Sequence, residues 1–201
     1  TPRQANVPYQ FNEATAILAG DALLTWAFEL LSQPNERLTA STQLQMVHTL
    51  AQCSGDLGMV DGQAFDLGSE GKVLSLEQLK SMHGAKTGEL IRASLRLGAL
   101  ASGNATNSDL EALDQYAQKI GLAFQIQDDI LDIESSTEQL GKPQGSDEER
   151  AKATYPALVG LAQSKSWLNE LHQGAIEALE PFGSRNNSLI ALADFIISRN
   201  H

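Results

Sequence analysis

The chain is short of positive charge. Its 201 residues carry 14 Lys+Arg against 25 Asp+Glu, a formal net charge of −11. So acidic a chain repels phosphate backbones and anionic lipid, which excludes a general nucleic-acid or membrane-surface binder and makes cations the partners to look for. Cysteine is nearly missing as well. Cys53 stands alone, so no intrachain disulfide can form, and no paired Cys/His spacing of a structural zinc site surrounds it. It reads as a small core residue. Nowhere do apolar residues run uninterrupted for the roughly 18–20 positions of a membrane span, and no membrane insertion is expected. The start, Thr1-Pro2-Arg3-Gln4-Ala5-Asn6, lacks the apolar heart of a signal peptide. A reducing compartment such as the cytoplasm fits these absences.

Alternating β-branched runs, internal repeats and low-complexity stretches are absent too. What is present is helical periodicity, with apolar residues recurring at three and four along almost every segment. The reading is a single all-α domain over residues 1–201, long enough for a sizeable core. Helices are predicted over residues 13–32, 39–53, 57–67, 75–101, 107–133, 150–163, 166–179 and 187–198. Gly, Pro, Asn and Ser clusters separate most of them. Ser75 and Gln78 have the spacing of a capping box, and Asn107 or Ser108 is expected to cap the helix through Leu110. The helices predicted over 75–101 and 107–133 are more than twice the usual length of about 11–12 residues, which suggests long antiparallel helices with a site built from inward-pointing side chains.

Several polar residues interrupt apolar stripes. Asp21 falls in the stripe Ile17, Leu24, Phe28, Leu31, a core-facing position where a carboxylate either bonds a neighbouring helix or supports a site from behind. Lys86 interrupts Leu79, Met82, Leu90, Ala93, Leu97. A lysine there must snorkel, pair with a carboxylate, or face a wet cavity that binds an anion. Thr87 beside it can bond its own helix or face the same cavity. Gly55, Gly58 and Gly62 permit close approach of another helix, and Gln63 and Asp66 follow on one face, as site residues or as an exposed polar helix end.

The strongest local signal is Phe124-Gln125-Ile126-Gln127-Asp128-Asp129-Ile130-Leu131-Asp132. At 100° per residue, Asp128, Asp129, Asp132 and Gln125 share a face within about 100°. Like charges four apart on a helix repel, so the arrangement needs a compensating cation unless it is merely a solvated charge run. Oxygen-only donors without nearby His or Cys favour Mg²⁺, with Mn²⁺ the other candidate, over zinc. Mg²⁺ is typically held by one or two carboxylates plus substrate phosphates. More than half of the chain's excess negative charge falls on residues 128–150. Gly141-Lys142-Pro143 is no P-loop, since neither Ser nor Thr follows the lysine, and reads as a Gly-hinged loop able to close over phosphates.

Taken together, these segments resemble the short-chain trans-prenyl diphosphate synthases of the bacterial farnesyl diphosphate synthase type. The likeness is carried by residues 124–132, which match that family's second aspartate-rich motif. It is carried also by Leu140-Gly141-Lys142 with Gly145 and Asp147, by Lys152-Ala153-Thr154-Tyr155, by Ile17-Leu18-Ala19-Gly20-Asp21, by Gly62-Gln63 with Asp66-Leu67, by Lys86-Thr87-Gly88, and by Leu192-Ala193-Asp194-Phe195-Ile196-Ile197 with Arg199. It runs from about Phe11 to the last residue.

The resemblance implies an isoprenoid synthase fold, an all-α bundle with a central cavity, and an enzyme. An allylic diphosphate (dimethylallyl or geranyl) would lose pyrophosphate to give a carbocation, isopentenyl diphosphate would attack it, and a proton would leave, yielding farnesyl diphosphate. Asp128 and Asp132 would hold Mg²⁺ against the allylic diphosphate, with Asp129 and Asp147 nearby or acting through water. Lys86, Lys142 and Lys152 would neutralise the leaving diphosphate. Thr87 and Gln125 would turn oxygens toward the carbocation, while Gln63 and Asp66 line the cavity. A homodimer is implied as well. That family also has a first aspartate-rich motif followed by paired arginines, and no second DDxxD occurs in this sequence. The expectation is therefore the C-terminal portion of a longer synthase. The other readings are a geranylgeranyl or geranyl diphosphate synthase, a catalytically silent synthase-like subunit, and an all-α protein that binds a divalent cation without diphosphate.

Overall fold

The computed structural model describes residues 11–134 and 153–199, and within them every regular element is helical. The elements are α1 (Glu13–Ser32), α2 (Ala40–Ser54), α3 (Met59–Gly68), α4 (Leu76–His83), a π-helical turn (Gly84–Gly88), α5 (Glu89–Ala101), α6 (Asn107–Glu134), α7 (Tyr155–Val159), α8 (Leu161–Ala178), a 3₁₀ stretch (Glu180–Asn186) and α9 (Asn187–Ser198).

Local chemistry sets most of these boundaries. Asn12 and Thr39 accept from the backbone N–H three residues on and start α1 and α2. Ser75 and Gln78 form the reciprocal capping box at α4. The cap of α6 is neither Asn107 nor Ser108. Thr106 takes that place: its Oγ1 accepts from Asp109 N at 3.1 Å, while Asp109 accepts from Thr106 N at 2.8 Å. The Thr106 N–H and the Thr106 hydroxyl, which both donate to Asp109 Oδ2, hold that carboxyl below its ordinary range.

The core is organised around α6. Its Leu113, Tyr116, Ile120, Ala123, Ile126 and Ile130 are buried with Leu79 and Met82 of α4, Leu168 and Ala175 of α8, and Ala193 and Ile196 of α9. Tyr116 is tied across the bundle, donating from its hydroxyl to Leu189 O at 2.8 Å. Burial pushes its phenol up to about 12. A smaller cluster of Met46, Leu100 and Leu110 joins α2 to the far ends of α5 and α6.

Three expectations need correction. The helix predicted over 75–101 is divided into α4 and α5 by the π turn that holds Lys86. The break predicted between residues 163 and 166 does not exist. The chain breaks instead at Gly160, whose φ of 85° suits glycine, and α8 then runs through Ser164, Lys165 and Ser166, with Ser164 bonding back to Gly160 O. Asp21, placed by periodicity on a core stripe, is exposed, as are Ile17 and Leu24 beside it. The whole of α1 has no buried residue. It is also long and apolar enough, by length and composition alone, to cross a membrane. Cys53, in contrast, is fully buried, and desolvation raises its thiol to about 11.

Candidate functional site

The site begins with a defect in a helix. Between α4 and α5 the Glu89 N–H reaches back five residues to Gly84 O, inserting one extra residue into the ladder. Such π bulges cost regular hydrogen bonding and re-aim side chains, and they are frequent at functional sites. Lys86 and Thr87 lie in this turn, which is why a lysine could interrupt an apolar stripe without entering the core.

Close backbone contacts fix the turn on both sides. On the α3 side, a Cβ on Gly62 would lie 2.2 Å from Lys86 N. On the α6 side, a Cβ on Gly121 would lie 3.1 Å from Gly88 Cα. Only chains without side chains at these points can come so near.

Lys86 leans toward α3 and donates from Nζ to Asp66 Oδ2 at 2.5 Å. Both are partly buried, so the lysine is positioned rather than waving in solvent. Gln63 lies half-buried on α3, three residues before Asp66. Thr87 turns the other way and donates from Oγ1 to Gln125 Oε1 at 3.2 Å. The Gln125 amide faces Asp128 Oδ2 at a long 3.5 Å. The π turn and the aspartate-rich part of α6 are thereby one continuous polar surface.

The cation that the crowded carboxylates require is supplied by the protein at one of them. Arg199, just past α9, donates from Nη2 to Asp128 Oδ1 at 2.6 Å. Asp132 is 3% exposed, one turn further along α6. Asp129 is committed elsewhere: its Oδ2 accepts from Tyr155 N at 2.8 Å and so holds the start of α7. The Tyr155 hydroxyl lies 3.3 Å from His83 Nδ1. Burial, reinforced by the Asp129 charge, pushes the Tyr155 phenol above its ordinary value.

Of the metal set expected from sequence, Asp128 and Asp132 lie one turn apart on α6. Among the described residues no group of three His, Cys, Asp or Glu side chains is arranged to hold a metal ion. Two carboxylates with Asp128 Oδ2 only loosely held nevertheless fit Mg²⁺, which keeps waters and takes its other ligands from phosphates. Lys142, Asp147 and Lys152 lie outside the described residues. Arg199, Tyr155 and His83 acquire their places only in three dimensions. The ending that contains Arg199 belongs to the resemblance, but nothing in the sequence says that it reaches back 71 positions to Asp128.

The Polyprenyl synthetase family model matches residues 3–180. The chain is 47% identical over 195 residues to farnesyl diphosphate synthase of Escherichia coli (strain K12), covering 95% of this chain and 65% of that protein. With the Haemophilus influenzae farnesyl diphosphate synthase it shares 48% over 194 residues, covering 94% and 64%. It therefore spans a little under two thirds of these relatives' length. In three dimensions it matches a geranyltransferase from Helicobacter pylori complexed with magnesium and isoprenyl diphosphate, with a TM-score of 0.80 at 33% identity over 96% of this chain and 63% of that one. A geranylgeranyl pyrophosphate synthetase from Pyrococcus horikoshii gives 0.84 at 26% identity over 99% and 72%. The family match, the shared all-α fold and the polar surface joining the π turn to the aspartate-rich helix agree: the chain belongs to the polyprenyl synthetase family.

Proposed function

We propose that the chain serves a Mg²⁺-dependent prenyltransferase that condenses isopentenyl diphosphate with dimethylallyl or geranyl diphosphate, giving farnesyl diphosphate. The observation that carries this reading is the contiguous surface in which Lys86, Thr87, Gln125 and Asp128 stand side by side on two elements pressed together at Gly88 and Gly121. Relatives at 47% and 48% identity bearing the farnesyl diphosphate synthase name support the product class.

Each residue then has a task. Asp128 and Asp132 would hold Mg²⁺, which neutralises charge on a departing diphosphate. Lys86, already anchored by Asp66, offers a fixed cation to the same phosphates, and such preorganisation costs no rearrangement as charge develops. Lys142, Lys152 and Asp147 belong to the same task. Thr87 and Gln125 present oxygens beside it, where an electron-deficient carbon is stabilised by dipoles without being captured. Asp129 holds Tyr155 N and so steadies α7 behind the carboxylates. A homodimer and a cytoplasmic setting belong to this reading.

Calorimetric titration tests it. Mg²⁺ is expected to bind weakly alone and much more tightly with inorganic pyrophosphate, and Asp128→Ala should abolish that enhancement. Mg²⁺ binding that pyrophosphate leaves unchanged would overturn the reading in favour of a plain divalent-cation site. For the full-length protein, chromatography of products from isopentenyl and geranyl diphosphates should show a C15 chain, and a dominant C20 chain would sink the farnesyl assignment.

A further inference from the structure

Arg199 is held more elaborately than a helix-terminal arginine needs. Its side chain is only 12% exposed. Nη2 donates both to Asp128 Oδ1 at 2.6 Å and to Phe124 O at 3.0 Å, and the guanidinium carbon lies 4.0 Å from the centroid of the Phe124 ring. The arginine's own carbonyl accepts from Gln127 Nε2 at 3.0 Å. Nε is buried without a partner among the described residues. Three positions of the aspartate-rich segment, 124, 127 and 128, thus grip one residue some seventy positions away.

Two of these grips do not involve the carboxylate. The Phe124 carbonyl and ring hold the guanidinium over α6, and Gln127 holds its backbone, so the charge stays beside Asp128 whatever binds there. A fixed positive charge in contact with one ligand carboxylate cancels much of the field that would attract a divalent cation. It also engages Oδ1 and leaves Oδ2 as the oxygen available to a metal.

We propose that Arg199 is a built-in counterion that prevents the aspartate-rich face from holding Mg²⁺ alone, so that the cation enters only together with a diphosphate. This rests on the proposed function and adds an order of assembly to it. A diphosphate brings negative charge that outweighs the arginine's, so the cation is drawn in together with it. The site is thereby protected from free divalent cations and closes its metal shell only with substrate. Arg199 is a positioning residue in this scheme, acting through Asp128.

The test is calorimetric titration of Mg²⁺, with and without inorganic pyrophosphate, into the wild-type chain, Arg199→Gln and Arg199→Lys. Arg199→Gln should bind Mg²⁺ alone on the order of tenfold more tightly than wild type, from the loss of one neighbouring unit charge. The added tightening by pyrophosphate should shrink correspondingly. Arg199→Lys loses the planar stacking on Phe124 but keeps the charge, and should bind Mg²⁺ alone as wild type does.

If Arg199→Gln leaves Mg²⁺ affinity unchanged or weakens it while wild type still shows pyrophosphate enhancement, this inference fails and the proposed function stands. No enhancement in wild type would fail the function itself. Circular dichroism checks the fold. Should Arg199→Gln unfold, Arg199→Met keeps the apolar stem over Phe124 and reads the same quantity. Unfolding of both would assign the arginine a purely structural role and overturn the inference.

Discussion

At the scale of single residues, adjacent side chains are put to different uses. Lys86 and Thr87 are neighbours, yet one bonds α3 and the other α6. From sequence Lys86 had three readings, and the structure selects pairing with a carboxylate. Replacing Lys86 by Met leaves the Asp66 charge partly buried without its lysine, and about 1 kcal/mol of stability should be lost in a urea titration after allowing for solvent screening. Adding Asp66→Asn should restore most of that loss. The double variant should still fail to show tight Mg²⁺-pyrophosphate binding if the lysine has the phosphate-binding role proposed for it. Full recovery of binding would mean that the lysine serves only Asp66. Cys53 gives a second residue-level prediction. Its thiol is raised to about 11 by burial against an ordinary 9.0. A group that loses its proton less readily when folded supports the fold fully below the unfolded pKa and withdraws that support as pH climbs toward the folded one. Stability should therefore fall between pH 9 and pH 11, by up to roughly 1.4 kcal/mol per pH unit from this group, with Tyr116 adding to the fall at the upper end. Urea midpoints at pH 8 and pH 10.5 measure it, and Cys53→Ala should flatten the lower part of the slope.

Helical elements were legible in the sequence to the extent that their signals are local. Helices α1, α2 and α6, and the capping box of α4, follow from periodicity and caps, and they appear within a residue or two of expectation. The misplaced break before α8 shows the limit, since a helix is predicted straight through Gly160, whose φ of 85° separates α7 from α8. The π turn was out of reach for a different reason. The backbones that press on it, at Gly62 of α3 and at Gly121 of α6 against Gly88, come from distant parts of the sequence. Gly62→Ala tests this. Its new Cβ would meet Lys86 N at 2.2 Å, and backbone cannot yield as a side-chain tip can. The overpacking should cost about 1–3 kcal/mol in urea denaturation, and displacement of the π turn should weaken Mg²⁺-pyrophosphate binding more than that loss of fold explains. A variant as stable as wild type would show that α3 moves freely against the turn. The carboxylate site was legible in part. Asp128 and Asp132 share a face by simple helix geometry, whereas the diversion of Asp129 to Tyr155 N and the arrival of Arg199 depend on elements that follow much later in the chain.

At the scale of the molecule, α1 is the element that this chain, a little under two thirds of its relatives' length, leaves uncovered among the described residues. Phe11, Ile17, Leu18, Leu23, Trp26 and Leu30 are each more than half exposed, with Trp26 at 55%. An apolar surface that extends along 20 residues of helix exceeds what a monomer ordinarily leaves to water. Lipid could cover such a helix by length and composition, but Asp21 lies close to its midpoint. There a carboxylate costs about 2.5–3.5 kcal/mol in a bilayer, so the surface is suited to protein instead. The chain should consequently self-associate as its concentration rises, with sedimentation velocity showing species above 21.6 kDa. Acrylamide quenching of tryptophan fluorescence should fall in parallel, because Trp26 is the more exposed of the two tryptophans. Leu23→Glu combined with Leu30→Glu should return the chain to a monomer without lowering its urea midpoint, since neither side chain supports the core. Neutral phosphatidylcholine vesicles should leave the sedimentation and quenching unchanged. If vesicles protect Trp26 and the double variant still associates, lipid rather than a second copy of this chain is what covers α1 in solution.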